Sequence, residues 1–197
     1  NTGLVHFRNN DYATAVDYFL QAEQIYLKYN PVSADLAPLY SNMSMAYSSL
    51  NKPEEGLLAS KKGIDFARKT NDKQMLANAL FTYGGNLVAA KKGNSGLAVL
   101  DSAKQLGKEV NNSNVVYMSD FMKAMYYYNN KLYQQAIDNY TVCLQAARAN
   151  NFAIGIGSNF INIAACEAEL KRYALEAAHL DSSAKYLDYS EPSEAKQ

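Results

Sequence analysis

Along KLYQQAIDNYTVCLQAA, residues 131–147, the positions Tyr133, Ala136, Tyr140 and Cys143 follow one another at offsets of three, four and three. Such offsets place all four side chains on one face of a helix, and the small members of the stripe let a second helix come close. The stripe recurs as DYATAVDYFLQA at 11–22, KPEEGLLASKKG at 52–63 and KGNSGLAVLDSA at 92–103. Its small residue is Ala15, Gly56, Gly96 and Ala136, at spacings of 41, 40 and 40. A fifth copy, RYALEAAHLDSS at 172–183, meets the register at Glu176, its small residues slipped to Ala177 and Ala178. The companion large position reads Phe19, Ser60, Leu100, Tyr140 and Leu180, and one turn later come Ala22, Gly63, Ala103, Cys143 and Ser183.

A second helical segment precedes these stripes: YSNMSMAY at 40–47, LFTYGGNL at 80–87, DFMKAMYY at 120–127 and FINIAACE at 160–167. Ser44, Gly84, Ala124 and Ala164 repeat there every 40 residues, with Tyr47, Leu87 and Tyr127 three positions on. Each repeat is therefore a helix pair, with room for two helices of roughly 17 to 20 residues, each about 25–30 Å long. Asn30, Asn51, Asn71, Asn111, Asn130 and Asn150 stand where the helices should stop. After Gly, Asn best tolerates the left-handed conformation that ends a helix. Pro53 suits a first helical turn.

This pairing of small and aromatic positions resembles the tetratricopeptide repeat. The fourth copy carries the likeness most closely, in Ala124, Tyr127, Tyr133, Ala136 and Tyr140, and the match runs from Gly3 to about Tyr186. Two departures are plain. The family's usual period is about 34 residues, and its tryptophan is absent because the chain has no Trp. A 40-residue period is similar to the longer-helix variety of bacterial signalling proteins, peptide-sensing regulators and kinesin light chains. The resemblance implies an all-α, right-handed superhelical solenoid of antiparallel helix pairs. We expect one solenoid over 1–187, with units at about 1–30, 31–71, 72–111, 112–150 and 151–187, and a polar tail or linker, DYSEPSEAKQ, over 188–197. Gly3 and Phe7 fall in mid-unit positions, so the sequence reads as a piece of something longer.

Composition narrows the function. Lys and Arg number 19, as do Asp and Glu, so no basic excess favours direct nucleic-acid contact. No run of about 18 apolar residues suggests a membrane span, and NTGLVHFRNN lacks the pattern of a signal peptide. The compartment stays open: cytoplasmic, or periplasmic if the chain belongs to a membrane-anchored regulator. Cys143 and Cys166 form no CxxC and read as two buried thiols, or as a disulfide if the compartment is oxidising. His6 and His179 lie far apart in sequence without a nucleophile motif beside them. KKGNSG at 91–96 lacks the order of a phosphate loop. No catalytic site, metal site or cofactor is expected.

Binding is the alternative, since stacked helix pairs line a concave groove with the first helix of every unit. Carrying the family's groove positions onto this chain gives Asn42, Met45, Phe81, Phe121, Met125, Tyr128 and Asn162 as the candidate partner-binding residues. The resemblance gives Asn42 and Asn162 the role of gripping a peptide backbone, for which an amide both donates and accepts. It also disfavours a carboxylate clamp, because the Lys and Arg of such clamps are missing from these positions. The expectation is a noncatalytic module holding a protein or peptide in its groove, as the sensing region of a larger bacterial signalling or transcription-regulatory protein. The alternative is a structural scaffold or adaptor that self-associates, for instance as a homodimer, or assembles a complex.

Overall fold

A computed structural model describes residues 2–187. The polar tail expected over 188–197 lies outside the described residues. Ten α-helices and no strand occur among the described residues: α1 Thr2–Arg8, α2 Tyr12–Tyr29, α3 Leu36–Ser49, α4 Pro53–Lys69, α5 Lys73–Ala89, α6 Gly93–Glu109, α7 Ser113–Asn129, α8 Tyr133–Ala149, α9 Ala153–Glu169 and α10 Tyr173–Leu187. From α4 onward each helix begins 20 residues after the last, at 53, 73, 93, 113, 133, 153 and 173. The 40-residue period is thus two equal helix-and-turn steps.

The turns are set by one motif. Asn51 has φ 56°, and the same left-handed conformation recurs at Asn10, Asn71, Lys91, Asn111, Lys131, Asn151 and Lys171. At the end of α3 the Lys52 amide donates to the Tyr47 carbonyl at 2.9 Å and the Asn51 amide to that of Ser48 at 3.0 Å. These two bonds satisfy carbonyls that a helix end otherwise leaves without a partner. Asn51, Asn71 and Asn111 stop helices as their residue type predicts, whereas Asn130 and Asn150 do not. The left-handed residue is the next one along, Lys131 or Asn151. Asn130 and Asn150 instead turn their amides back onto the Tyr126 and Ala146 carbonyls, each at 2.8 Å. Asn30 is the other exception, with φ −151°. Pro31 follows it and excludes the helical conformation for the residue before it, so the α2–α3 connection is longer than the rest.

The chain divides into two compact units, Asn1–Ser119 and Asp120–Gln197. In the first, Ala15, Phe19, Leu36, Ala37, Tyr40, Met43, Ala59 and Phe66 share one buried cluster, and Ala77, Ala103 and Val115 form another. Small residues meet large ones as the stripes predict. A Cβ added to Gly3 would lie 2.8 Å from the Phe19 ring, and one added to Gly84 would lie 2.9 Å from Leu100.

In the second unit Ala136, Tyr140 and Cys143 of the opening stripe are buried. Tyr133 sits at its edge and donates its hydroxyl to Glu169 at 3.0 Å. Burial pushes the Tyr140 hydroxyl well above its ordinary range. Both cysteines are buried thiols. Burial, with Glu167 nearby, pushes Cys166 up to about 11. The reactive thiolate is therefore scarce at neutral pH as well as shielded. Ellman's reagent at pH 8 is expected to modify neither cysteine in the folded chain and both in denaturant; rapid labelling of the native protein would contradict this packing.

Candidate protein-binding surface

Each unit carries its own share of the surface. In the first, Asn42 and Met45 lie on α3, one turn apart. Asn42 is half-buried and lines two neighbouring clefts, while Met45 is 41% exposed. One cleft, of about 320 Å³, is lined by Ala37, Pro38, Ser41, Asn42, Met75 and Asn78, and carries no charged side chain. The Asn112 amide donates to the Asn78 side-chain oxygen at 3.2 Å, which holds that rim in place. The other cleft, of about 450 Å³, runs between α1, α2 and α3. Phe81 is half-buried and packs against the Ala77, Ala103 and Val115 cluster, so much of its surface serves the interior. Asn78, Pro38 and Met75 are contributors that sequence reasoning missed. The available signal was helical spacing, since 38 lies four residues before 42, and 78 four before Thr82. Thr82 itself returns its hydroxyl to the Asn78 carbonyl at 3.0 Å.

The charged groups near this surface are occupied structurally. Glu23 is buried on α2 and pairs with Lys62 at 2.8 Å, and that ammonium also stands 5.7 Å from the centre of the Tyr40 ring. Burial, then the bond to Glu23, pushes the Tyr40 hydroxyl up to about 12. Asp35 accepts from the Tyr26 hydroxyl at 3.0 Å and from Ser33 at 3.2 Å. That bond to Asp35 raises the Tyr26 hydroxyl above its ordinary value.

In the second unit Phe121 meets Tyr140 edge-on, with ring centres 5.7 Å apart, and Tyr128 meets Tyr133 in the same way at 5.7 Å. Both aromatics are half-buried. Met125 and Ile161 are 40% and 42% exposed, and Asn162 is half-buried on α9 beside Ile161. His179 is bonded to the buried Glu167 at 2.6 Å, joining α10 to α9. Among the described residues no three His, Cys, Asp or Glu side chains cluster as a metal site. None of the described helices is long and apolar enough to cross a membrane.

Comparison with protein-family models and with curated proteins finds no match for this chain. Among solved structures the likeness is extensive. A Rap protein complexed with Competence and Sporulation Factor superposes with a TM-score of 0.75 at 13% identity, over 96% of this chain and 54% of that one. A signal-transduction ATPase of the STAND class from Pyrococcus horikoshii, with a tetratricopeptide repeat sensor, gives 0.74 at 17% identity over 94% of this chain and 28% of that one. Nearly identical TPR-like repeats of a Podosopora anserina kinesin light chain give 0.75 at 11% identity, over 96% and 92%. This chain therefore has the all-α tetratricopeptide-type solenoid fold. It spans about half the length of the Rap protein.

Proposed function

We propose that this chain is a noncatalytic protein- or peptide-binding module, and that the first helices of its repeats, α3, α5, α7 and α9, carry the binding surface. The supporting observation is exposure where packing does not demand it. Met45, Met125 and Ile161 stand 40 to 42% exposed one to three residues from the half-buried amides Asn42 and Asn162 or the aromatics Phe121 and Tyr128. Methionine is a flexible, polarisable side chain that adapts to partner surfaces. The ligand is an uncharged, largely apolar segment gripped at its backbone by the Asn42 and Asn162 amides. The printed partners of similar folds agree with such a role: one Rap protein is complexed with a factor, and one STAND protein uses its repeats as a sensor. The larger context is then a bacterial signalling or transcription-regulatory protein, of which this chain is the sensing region.

A peptide selected from a random display library on the purified chain supplies the probe. Titration calorimetry is expected to show affinity falling by about tenfold, some 1.4 kcal/mol, in each of Asn42→Ala and Asn162→Ala. Equal affinity in both variants and in Met125→Ala would remove this surface from consideration.

A further inference from the structure

The repeat allows one part of the first unit to be read against another. With the 41-residue offset between Ala15 and Gly56, the α2 residues Tyr18, Ala22, Ile25 and Tyr26 correspond to Ala59, Gly63, Phe66 and Ala67 of α4. All four α4 residues are buried. Two helices cover them, since the neighbours facing Gly63 are Tyr40 and Ala37 of α3 and Ala79 of α5. Ala37, Tyr40, Ala59 and Phe66 also belong to one cluster. For α2, helix α3 takes the place that α5 takes for α4. The place of the first half of α3 has no counterpart among the described residues, because α1 corresponds to Met43–Ser49 alone.

The consequence is visible in the side chains. Ile25 is 59% exposed where Phe66 is 9%, and Tyr18 is 39% exposed where Ala59 is 4%. Between α1, α2 and α3 lies the cleft of about 450 Å³, lined by Ala22, Ile25, Tyr26, Pro38 and Leu39 among others. Its size suits a specific binding site. Its shape is that of two helical turns, since the internal copy of the same space is filled by them.

We propose that this cleft seats a short amphipathic helix presented by a partner protein. That helix lies parallel to α3 and carries apolar side chains at the spacing of Leu36, Ala37, Leu39 and Tyr40, the residues that fill the equivalent space. Asp35 is the charged residue among those lining the cleft. A helix parallel to α3 brings its N-terminal turn toward that carboxylate, the favourable sense for the helix dipole. A strongly acidic first turn in the partner is excluded on the same ground.

The test uses a fluorescein-labelled, helix-stapled peptide with the sequence of residues 33–43, SADLAPLYSNM, titrated with the full chain and read by anisotropy. Saturable binding is expected, weakened about tenfold or more by Ile25→Asp and by Ala22→Arg, with Met125→Ala binding as the unaltered chain does. Ile25 is exposed, so its replacement leaves the fold in place, which circular dichroism checks. Met125 and Asn162 belong to the surface proposed above, so loss of one site leaves the other readable. Absence of saturation up to about 1 mM, or equal affinity in the two cleft variants, overturns the proposal. Self-association that Ile25→Asp abolishes and the peptide does not compete with would assign the cleft to a second copy of this chain, and would overturn it too.

Discussion

Asn86→Ala is expected to destabilise the chain by about 2–4 kcal/mol, and Asn86→Leu by no less, although both remove a polar group from the interior. Asn86 reaches from α5 into the seam between α3 and α4. Its amide nitrogen bonds Ser44 and lies 3.4 Å from the Ser60 hydroxyl and 3.5 Å from the Gly56 carbonyl, while its oxygen accepts from Ser48 at 2.5 Å. Ser44 and Ser60 also donate to the Gly56 carbonyl, at 2.8 and 3.0 Å. Five polar groups are thus satisfied jointly in a place where Ser44 and Ser60 are almost wholly inaccessible. Deleting one member leaves the others buried with fewer partners, at about 1–3 kcal/mol for each group left wanting. Leucine fills the volume and accepts or donates nothing. Urea unfolding followed by circular dichroism measures the difference; a midpoint unchanged in Asn86→Leu would mean that the cluster adds nothing beyond its volume.

That cluster also marks where reading the sequence stopped. The stripes of small and large residues predicted the helix pairs, because a Gly or Ala facing Phe19, Leu100 or Tyr140 is a contact within one repeat and recurs at a fixed offset. Ser60 stands in the same column without bulk. What compensates is an Asn from the following helix, 26 residues on, and no periodic rule connects the two. The turns failed for a related reason. Residue type suggested Asn, whereas the position is fixed by the 20-residue step, and Lys91, Lys131 and Lys171 adopt the left-handed conformation there despite their side chains. For the binding surface, the sequence indicated which helices carry it through resemblance, and Asn42 does line two clefts. Phe81 and Ser48 fell in groove columns as well, yet one packs against the interior and the other is bonded to Asn86. A column in a repeat gives a direction around the helix; how much of a side chain remains uncovered depends on its neighbours.

Two glycines in equivalent columns are expected to respond to the same substitution with opposite signs. Gly63 and Gly96 both lie within helices, where alanine is intrinsically favoured by about 0.5–1 kcal/mol because it restricts the unfolded chain. At Gly63 a new Cβ meets the Tyr40 Cβ at 3.4 Å, Ala79 at 3.8 Å and the Ala37 carbonyl at 3.9 Å, all ordinary contacts. Gly63→Ala should therefore keep the intrinsic gain and stabilise the chain. At Gly96 the Cβ would stand 2.7 Å from Val88 Cγ2 and 3.0 Å from both the Gly84 carbonyl oxygen and the Val88 backbone nitrogen. A methyl group can rotate away, but two backbone atoms of α5 move only if the helix moves. Because Gly84 itself is held against Leu100 on α6, the two helices approach closely from both sides. Overpacking of that kind costs about 1–3 kcal/mol, which exceeds the helix-propensity gain. Gly96→Ala should lower the urea midpoint with the slope unchanged, and Gly63→Ala should raise it. If both variants moved in the same direction, propensity would outweigh the contact between α5 and α6, and the small-residue stripe would be a tolerance of the repeat and not a requirement of its packing.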